Sequence, residues 1–245
     1  MKVPIITVAY NSAETIADTI ESVLSQTYRD IDYWIIDGVS KDNTIDIVKE
    51  YEAKSEGRLH WISEKDKGIY DAMNKGIAHC TGDVIGILNS DDFFTSHDVI
   101  EKMVNAFEDN PDTDIIYGDV HFVKEDNLKK CVRYYSGRIF TPALIRFGFI
   151  APHPSFYIRK EIFEQYGVYD PNYKISADYH YMYQLYKRNG KFLPLSINVA
   201  DFEAENGISS TNSIGCKWEC AKIAGIDQTW QWRFKITRKT IEVYT

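Results

Sequence analysis

Val84-Ile85-Gly86-Ile87-Leu88-Asn89-Ser90-Asp91-Asp92 is the stretch from which the fold can be read. Val84–Leu88 is apolar without alternation and gives way abruptly to polar residues ending in two adjacent carboxylates. An unbroken apolar run of this length suits a strand covered on both faces, as in a parallel sheet crossed by helices. Toward the N-terminus, Leu59–Ser63, Tyr33–Ile36 ending at Asp37, and Ile5–Tyr10 read as further strands. Helical patterns separate them. Ile16, Ile20, Val23 and Leu24 recur at helical spacing, Ile45, Val48 and Tyr51 line a second helix, and Gly68 precedes a third through Ile69, Ala72, Met73 and Ile77. Asn11, with Glu14 three residues on, is expected to cap the first helix, and Ser40–Asp42 to open the second.

This alternation predicts an α/β fold with a Rossmann-like, mostly parallel central sheet flanked by helices. Ligands of such sheets bind outside the carboxyl ends of the strands. Asn11, Asp37 and Asn89–Asp92 each follow a strand, so they are expected to line one crevice although they lie far apart in the chain.

The second half is less regular. His97–Glu108, Glu161–Tyr166 and Ala177–Arg188 read as helices; Asp114–Tyr117, Val120–Val123, Phe192–Leu195 and Ala200–Phe202 read as strands. No repeat or linker divides the chain, which predicts one domain over residues 1–212 and a helical tail over 213–245.

Composition bounds the function. With 245 residues the chain buries roughly 73% of its unfolded surface on folding, enough for a core without disulfides. A net charge of −8 argues against nucleic acid as a partner, since phosphate binding calls for a basic surface. The scattered Cys80, Cys131, Cys216 and Cys220 fit reduced thiols of a cytoplasmic protein rather than a disulfide framework or zinc site. The N-terminus carries no signal-peptide pattern and no run is long enough to span a bilayer. Residues 217–245 hold six Lys/Arg against three acidic residues, with Trp218, Trp230 and Trp232 among them. Such a tail can lie peripherally on the inner, anionic face of a membrane, pack on the domain as a helix, or make a dimer contact.

Adjacent carboxylates repel unless a cation lies between or beside them, and oxygen ligands select hard ions such as Mn²⁺ or Mg²⁺. Asp91 and Asp92 are therefore candidate metal ligands; the alternative is a solvated turn in which Asp92 or Ser96 caps the next helix. Asp37, before Gly38, can accept from a base or ribose, or bond its own turn amides. Neither G-x-G-x-x-G nor G-x-x-x-x-G-K-[ST] is present, which argues against dehydrogenases and P-loop kinases.

Taken in order, Thr7–Asn11, Ser22-Val23-Leu24-Ser25-Gln26-Thr27-Tyr28, Ile35–Thr44, Lys67-Gly68-Ile69-Tyr70-Asp71-Ala72-Met73-Asn74-Lys75-Gly76 and Gly82–Asp92 resemble the motif blocks of family 2 glycosyltransferases of the GT-A fold. Gly38 stands where that family has a second Asp, Val39 where Gly is usual, and Asn89 at the first place of its D-x-D motif. The resemblance implies a nucleotide-sugar donor, a UDP-sugar in the first instance, bound by residues 1–95, and a glycan or lipid-linked acceptor met by residues 96–212. Thr7, Ala9, Asn11, Asp37, Asp71, Lys75, Asn89 and Asp91 would line the donor site, with Lys75 toward the diphosphate. Asp91 and Asp92 would hold ribose and metal, and His153 would touch the diphosphate, the metal or the acceptor, the alternative being a buried structural histidine. Inverting transfer needs one base; Asp178, in the first turn of a helix that Ser176 is expected to cap, fits that role because the helix dipole favours a negative charge there. Phe202 with Gly207-Ile208-Ser209 resembles a closing loop of the family. Of the tyrosines between Tyr166 and Tyr186, Tyr179 and Tyr186 with Met182 read as core, while Tyr181 and Tyr183 suit either core or a sugar platform. The alternative implied by Asn89 is a catalytically silent nucleotide- or glycan-binding module on the same fold.

Overall fold

The computed structural model describes residues 1–124, 127–139, 142–147, 150–203 and 212–229. Strand β1 (Val3–Ala9) lies between β2 (Ile31–Asp37) and β4 (Val84–Ile87), and β3 (Leu59–Ser63) flanks β2, all parallel. The crossovers are α1 (Ile16–Leu24), α2 (Thr44–Lys54) and α3 (Ile69–His79), as the apolar spacing predicts. Every residue of β1 and β4 is buried, because helices cover both faces. One layer joins Ile5, Tyr33 and Ile35 to Ile16, Ile20 and Val23 of α1; the other joins Ile6, Val8 and Ile36 to Met73 and Ile77 of α3.

The second half adds β5 (Phe93–Phe94), α4 (Val99–Asp109), β6 (Ile115–Lys124), β7 (Asn127–Tyr135), β8 (Tyr157–Arg159), α5 (Lys160–Tyr166), α6 (Ala177–Lys187), β9 (Phe192–Glu203) and α7 (Ser213–Ala224). The sheet runs β3-β2-β1-β4-β8-β6-β9-β5, with β7 paired to β6. Beyond β4 it turns mixed, since β8 is antiparallel to both β4 and β6. The two strands expected on either side of Gly118 are one strand, β6, whose pairing with β9 shifts register around that glycine. β9 likewise replaces the two late strands with one.

Several helix starts differ from expectation. Asn11 has φ 51° and does not cap α1, which begins at Ile16 after Thr15; its side chain accepts from the Lys41 amide instead. α2 starts at Thr44 and α4 at Val99, so Ser40, Asp92 and Ser96 lie before the helices they were expected to open or cap. Ser176 stands at the start of α6 but makes no side-chain capping bond. Gly76 lets α3 lie directly on β1, for a Cβ there would meet Ile6 Cγ2 at 2.5 Å.

Candidate active site

The loops after β1, β2 and β4 form one hydrogen-bonded rim at the carboxyl end of the sheet. The Asn11 amide donates to Ser40 Oγ (2.8 Å), and the hydroxyls of Ser12 and Ser90 lie 2.8 Å apart. Asp37 and Asp91 thus follow neighbouring strands on either side of β1, as the topology predicts. Several residues expected to line the donor site are committed to building this rim. Thr7 and Ala9 are buried, and the Thr7 hydroxyl lies 3.0 Å from that of Tyr33. The Asp37 carboxylate is fully buried and accepts from the amides of Val39 (3.0 Å) and Ser40 (3.1 Å) and from the hydroxyls of Ser40 and Ser63. It holds the turn that places Val39 in the left-handed region at φ 66°. Gly38 has no Cβ, and the space beside it is filled by Asp66, whose Oδ2 lies 2.5 Å from where a Cβ would stand.

At the end of β4, Asp92 is fully buried and Asp91 half-buried. Asn89 Nδ2 lies 2.8 Å from His153 Nε2, so the amide donates to the ring and the imidazole proton sits on Nδ1. Burial pushes the His153 pKa down, and the Asp178 carboxylate opposes that shift from nearby. His153 is thus bonded to the strand end that carries Asp91 and feels the charge of Asp178 on α6.

Helix α3 connects the same two regions through opposite edges. Tyr70 and Asn74, one turn apart, face the second half. The Tyr70 hydroxyl lies 2.9 Å from Asp178 Oδ1 and 2.7 Å from the Ile175 carbonyl. Burial above all, and then the Asp178 charge, hold the Tyr70 pKa well above that of a free phenol, so Tyr70 remains a donor. Asn74 exchanges two bonds with Tyr169, donating to its carbonyl (2.7 Å) and accepting from its amide (3.0 Å). On the other edge, Asp71 accepts from the Lys67 amide (3.0 Å). The Lys75 ammonium donates to the Lys65 carbonyl (2.8 Å) and pairs with Glu64 at 3.0 Å. A diphosphate would have to compete with these partners for it.

Among the described residues, the hydrogen bonds to the Asp178 carboxylate, from Tyr70 and from the Tyr179 amide (2.8 Å), fall on Oδ1. Oδ2 is the oxygen left to receive a proton. Tyr70, Asn74 and Glu219, whose carboxylate meets the loop before α6, were missed as site residues from sequence. Their partners lie 43 to 108 residues away, and only a folding pattern could reveal them. Tyr181 is core, stacked on Phe163 with centroids 5.1 Å apart. Gly207-Ile208-Ser209, Trp230 and Trp232 lie outside the described residues, and α7 packs Cys220 and Ile223 against the core.

The residue set fits a divalent ion. Asn89 Oδ1 is buried without a hydrogen-bond partner among the described residues, and the Asp91 carboxylate follows two residues on, which together offer hard oxygen ligands. Among the described residues no three His, Cys, Asp or Glu converge into a complete cage. A cavity of about 560 Å³ elsewhere, lined in part by Asp18, Glu21, His121 and Asp201, contains none of the expected site residues.

A parallel βαβ half ending in an acidic strand terminus, joined through Tyr70 to a helix-borne carboxylate, is the architecture of a GT-A glycosyltransferase. The model of glycosyl transferase family 2 matches residues 5–167, and the chain belongs to that family. An uncharacterised glycosyltransferase of Mycobacterium tuberculosis is 30% identical over 183 residues, 74% of this chain and 67% of that protein. A PGL/p-HBAD biosynthesis glycosyltransferase of Mycobacterium bovis is 25% identical over 82% of this chain and 76% of its own. Among solved structures, S. aureus TarS 1–349 in complex with UDP-GlcNAc superposes with a TM-score of 0.72 at 15% identity, covering 91% of this chain and 66% of that one. The mannosyltransferase PcManGT from Pyrobaculum calidifontis, in complex with GDP-Man and Mn²⁺, gives 0.70 at 16% identity, covering 91% and 62%. The chain spans just under two thirds of the length of these solved chains. No helix among the described residues is long and apolar enough to cross a membrane.

Proposed function

We propose that this glycosyltransferase transfers a sugar from a nucleoside-diphosphate donor to a glycan or lipid-linked saccharide acceptor with inversion, using Asp178 as the general base. The observation that supports the reading is that Tyr70 of α3 bonds Asp178 Oδ1, while His153, bonded to Asn89 at the end of β4, feels the Asp178 charge. The donor lies over the rim built by Asn11, Asp37 and Ser90, its diphosphate toward Asp91. Asp91 is preferred to Asp92 as the metal ligand because Asp92 is fully buried. Asp91, with the Asn89 amide oxygen beside it, would hold Mn²⁺ or Mg²⁺, which supplies positive charge against the leaving diphosphate.

The acceptor hydroxyl forms its bond to the anomeric carbon as the bond from that carbon to the diphosphate oxygen breaks. The electron pair leaves with the nucleoside diphosphate, and the hydroxyl proton passes to Asp178 Oδ2. Tyr70 keeps Oδ1 engaged, so the carboxylate presents one oxygen in one direction. His153, held neutral by burial, orders the wall between the two carboxylates without adding charge. Support for the donor class comes from the fold neighbours, one bound to UDP-GlcNAc and one to GDP-Man.

Calorimetric titration with UDP and with GDP, each with and without Mn²⁺, tests the donor site. One nucleotide should bind at least about tenfold more tightly with the ion, and Asp91→Ala should abolish that gain. Equal affinity in all four titrations overturns the reading.

A further inference from the structure

We infer that Glu219, on the carboxyl-terminal helix α7, is a positioning residue for the catalytic base, fixing the first turn of the helix that carries Asp178. The inference rests on the reading of Asp178 as the base. Asp178 lies two residues into α6, and the turn before it lacks a local cap. Ser176, where a hydroxyl would ordinarily close the helix start, makes no capping bond, and its Oγ instead lies 3.4 Å from the Cys216 carbonyl of α7. In its place one carboxylate from outside the segment gathers three successive amides. Glu219 Oε1 accepts from Lys174 (3.0 Å), and Oε2 accepts from Ile175 (3.0 Å) and Ser176 (2.9 Å).

Charge-assisted bonds of this kind are about twice as strong as neutral ones. A negative charge at a helix start also meets the positive end of the dipole. The Ile175 carbonyl accepts from Tyr70 on the far side, so the Ile175–Ser176 peptide is gripped by α7 through the Ser176 N–H and by α3 through the Ile175 C=O. The direction of Asp178 is thereby set by two elements that neither precede nor follow it directly. α7 itself is held in place independently, by Asn212 capping its start (3.0 Å to the Gly215 amide) and by Ala221 buried beneath it. Loss of Glu219 alone therefore loosens the Asp178 turn without removing the helix that carries it.

Glu219→Ala and Glu219→Gln test this in the full chain. Turnover is read as donor hydrolysis with UDP-glucose, UDP-GlcNAc and GDP-mannose in Mn²⁺, and nucleotide affinity by calorimetry. Glu219→Ala should lower kcat at least about tenfold with nucleotide affinity unchanged within about twofold, and Glu219→Gln, which keeps one acceptor oxygen, should recover part of the loss. Combined with Asp178→Asn it should cost nothing further. Unchanged kcat in Glu219→Ala, while Asp178→Asn is inactive, overturns the inference and leaves the base reading standing; an active Asp178→Asn defeats the base reading itself. Amide hydrogen exchange provides a measurement that needs no donor. Protection at Lys174, Ile175 and Ser176 should fall at least about tenfold in Glu219→Ala, and unchanged protection there overturns the proposal.

Discussion

The hydroxyl of Tyr70, in the first turn of α3, meets Asp178 Oδ1 of α6 at 2.9 Å, across 108 residues of chain. This bond ties the amino-terminal half to the carboxylate proposed as base. Tyr70→Phe removes the donor while keeping the ring in its buried place. A hydrogen bond to a charged group is worth about 1.5–3 kcal/mol, so kcat should fall about ten- to a hundredfold with UDP affinity unchanged. Steady-state kinetics and calorimetry check both halves of that expectation.

Asn89 supplies a neutral oxygen where the family pattern has a carboxylate, and its Oδ1 is buried without a partner among the described residues. Asn89→Asp should strengthen the dependence of UDP binding on Mn²⁺ by about tenfold, close to 1.4 kcal/mol. Titration of the nucleotide over a Mn²⁺ series measures it.

Val39 is a β-branched residue with φ 66° and 46% exposed, so burial returns little against the strain of its backbone. Val39→Gly should raise unfolding free energy by about 1 kcal/mol, the relief of strain exceeding the added freedom of the unfolded chain. Urea denaturation gives the sign directly.

Gly76→Ala should act in the opposite direction. The new methyl meets Ile6 Cγ2 in the middle of β1, and overpacking of this kind costs about 1–3 kcal/mol. The same denaturation experiment should show a lower midpoint with an unchanged slope.

Cys216 and Cys220 share one face of α7, and both sulfurs lie 3.6 Å from Ser176 Oγ. The Cys220 thiol donates to Ser176 Oγ, and its interaction with Cys216 one turn away pulls the Cys216 pKa down, while that interaction and burial push Cys220 up. A thiol of lowered pKa gains thiolate as pH rises through neutrality, so iodoacetamide should label Cys216 before Cys220, faster at pH 8 than at pH 6. Peptide mass spectrometry after timed quenching reads the order.

The amino-terminal half was legible because its signals are local. Ile5, Ile35 and Ile85 sit in strands buried on both faces, and the helices between them carry an apolar stripe that no loop would need. The rim position of Asp37 and Asp91 followed from topology alone. The second half resisted for physical reasons. β7 carries Lys129, Lys130 and Arg133, the composition of a charged edge strand rather than a buried one. β8 has three residues and owes its conformation to β4 and β6 on either side. Helix caps were misplaced because a side chain at the right spacing does not fix its own backbone: Asn11 went left-handed, and Ser176 turned to α7. Asp37 and Asn74 show the same limit in the site. Their residue types suit ligand binding, but what they bind here is the protein, and only the tertiary contacts distinguish the two.

The central claim is that Asp178 removes the acceptor proton from a site that Asp91 and Asn89 complete on the donor side. Asp178→Asn preserves the shape of the side chain and its bond to Tyr70 while removing the basic oxygen. Measured with Mn²⁺ and the donor that wild type consumes, it should bind UDP as wild type does and lose transfer by at least about a thousandfold. Transfer at the wild-type rate by Asp178→Asn would contradict the account.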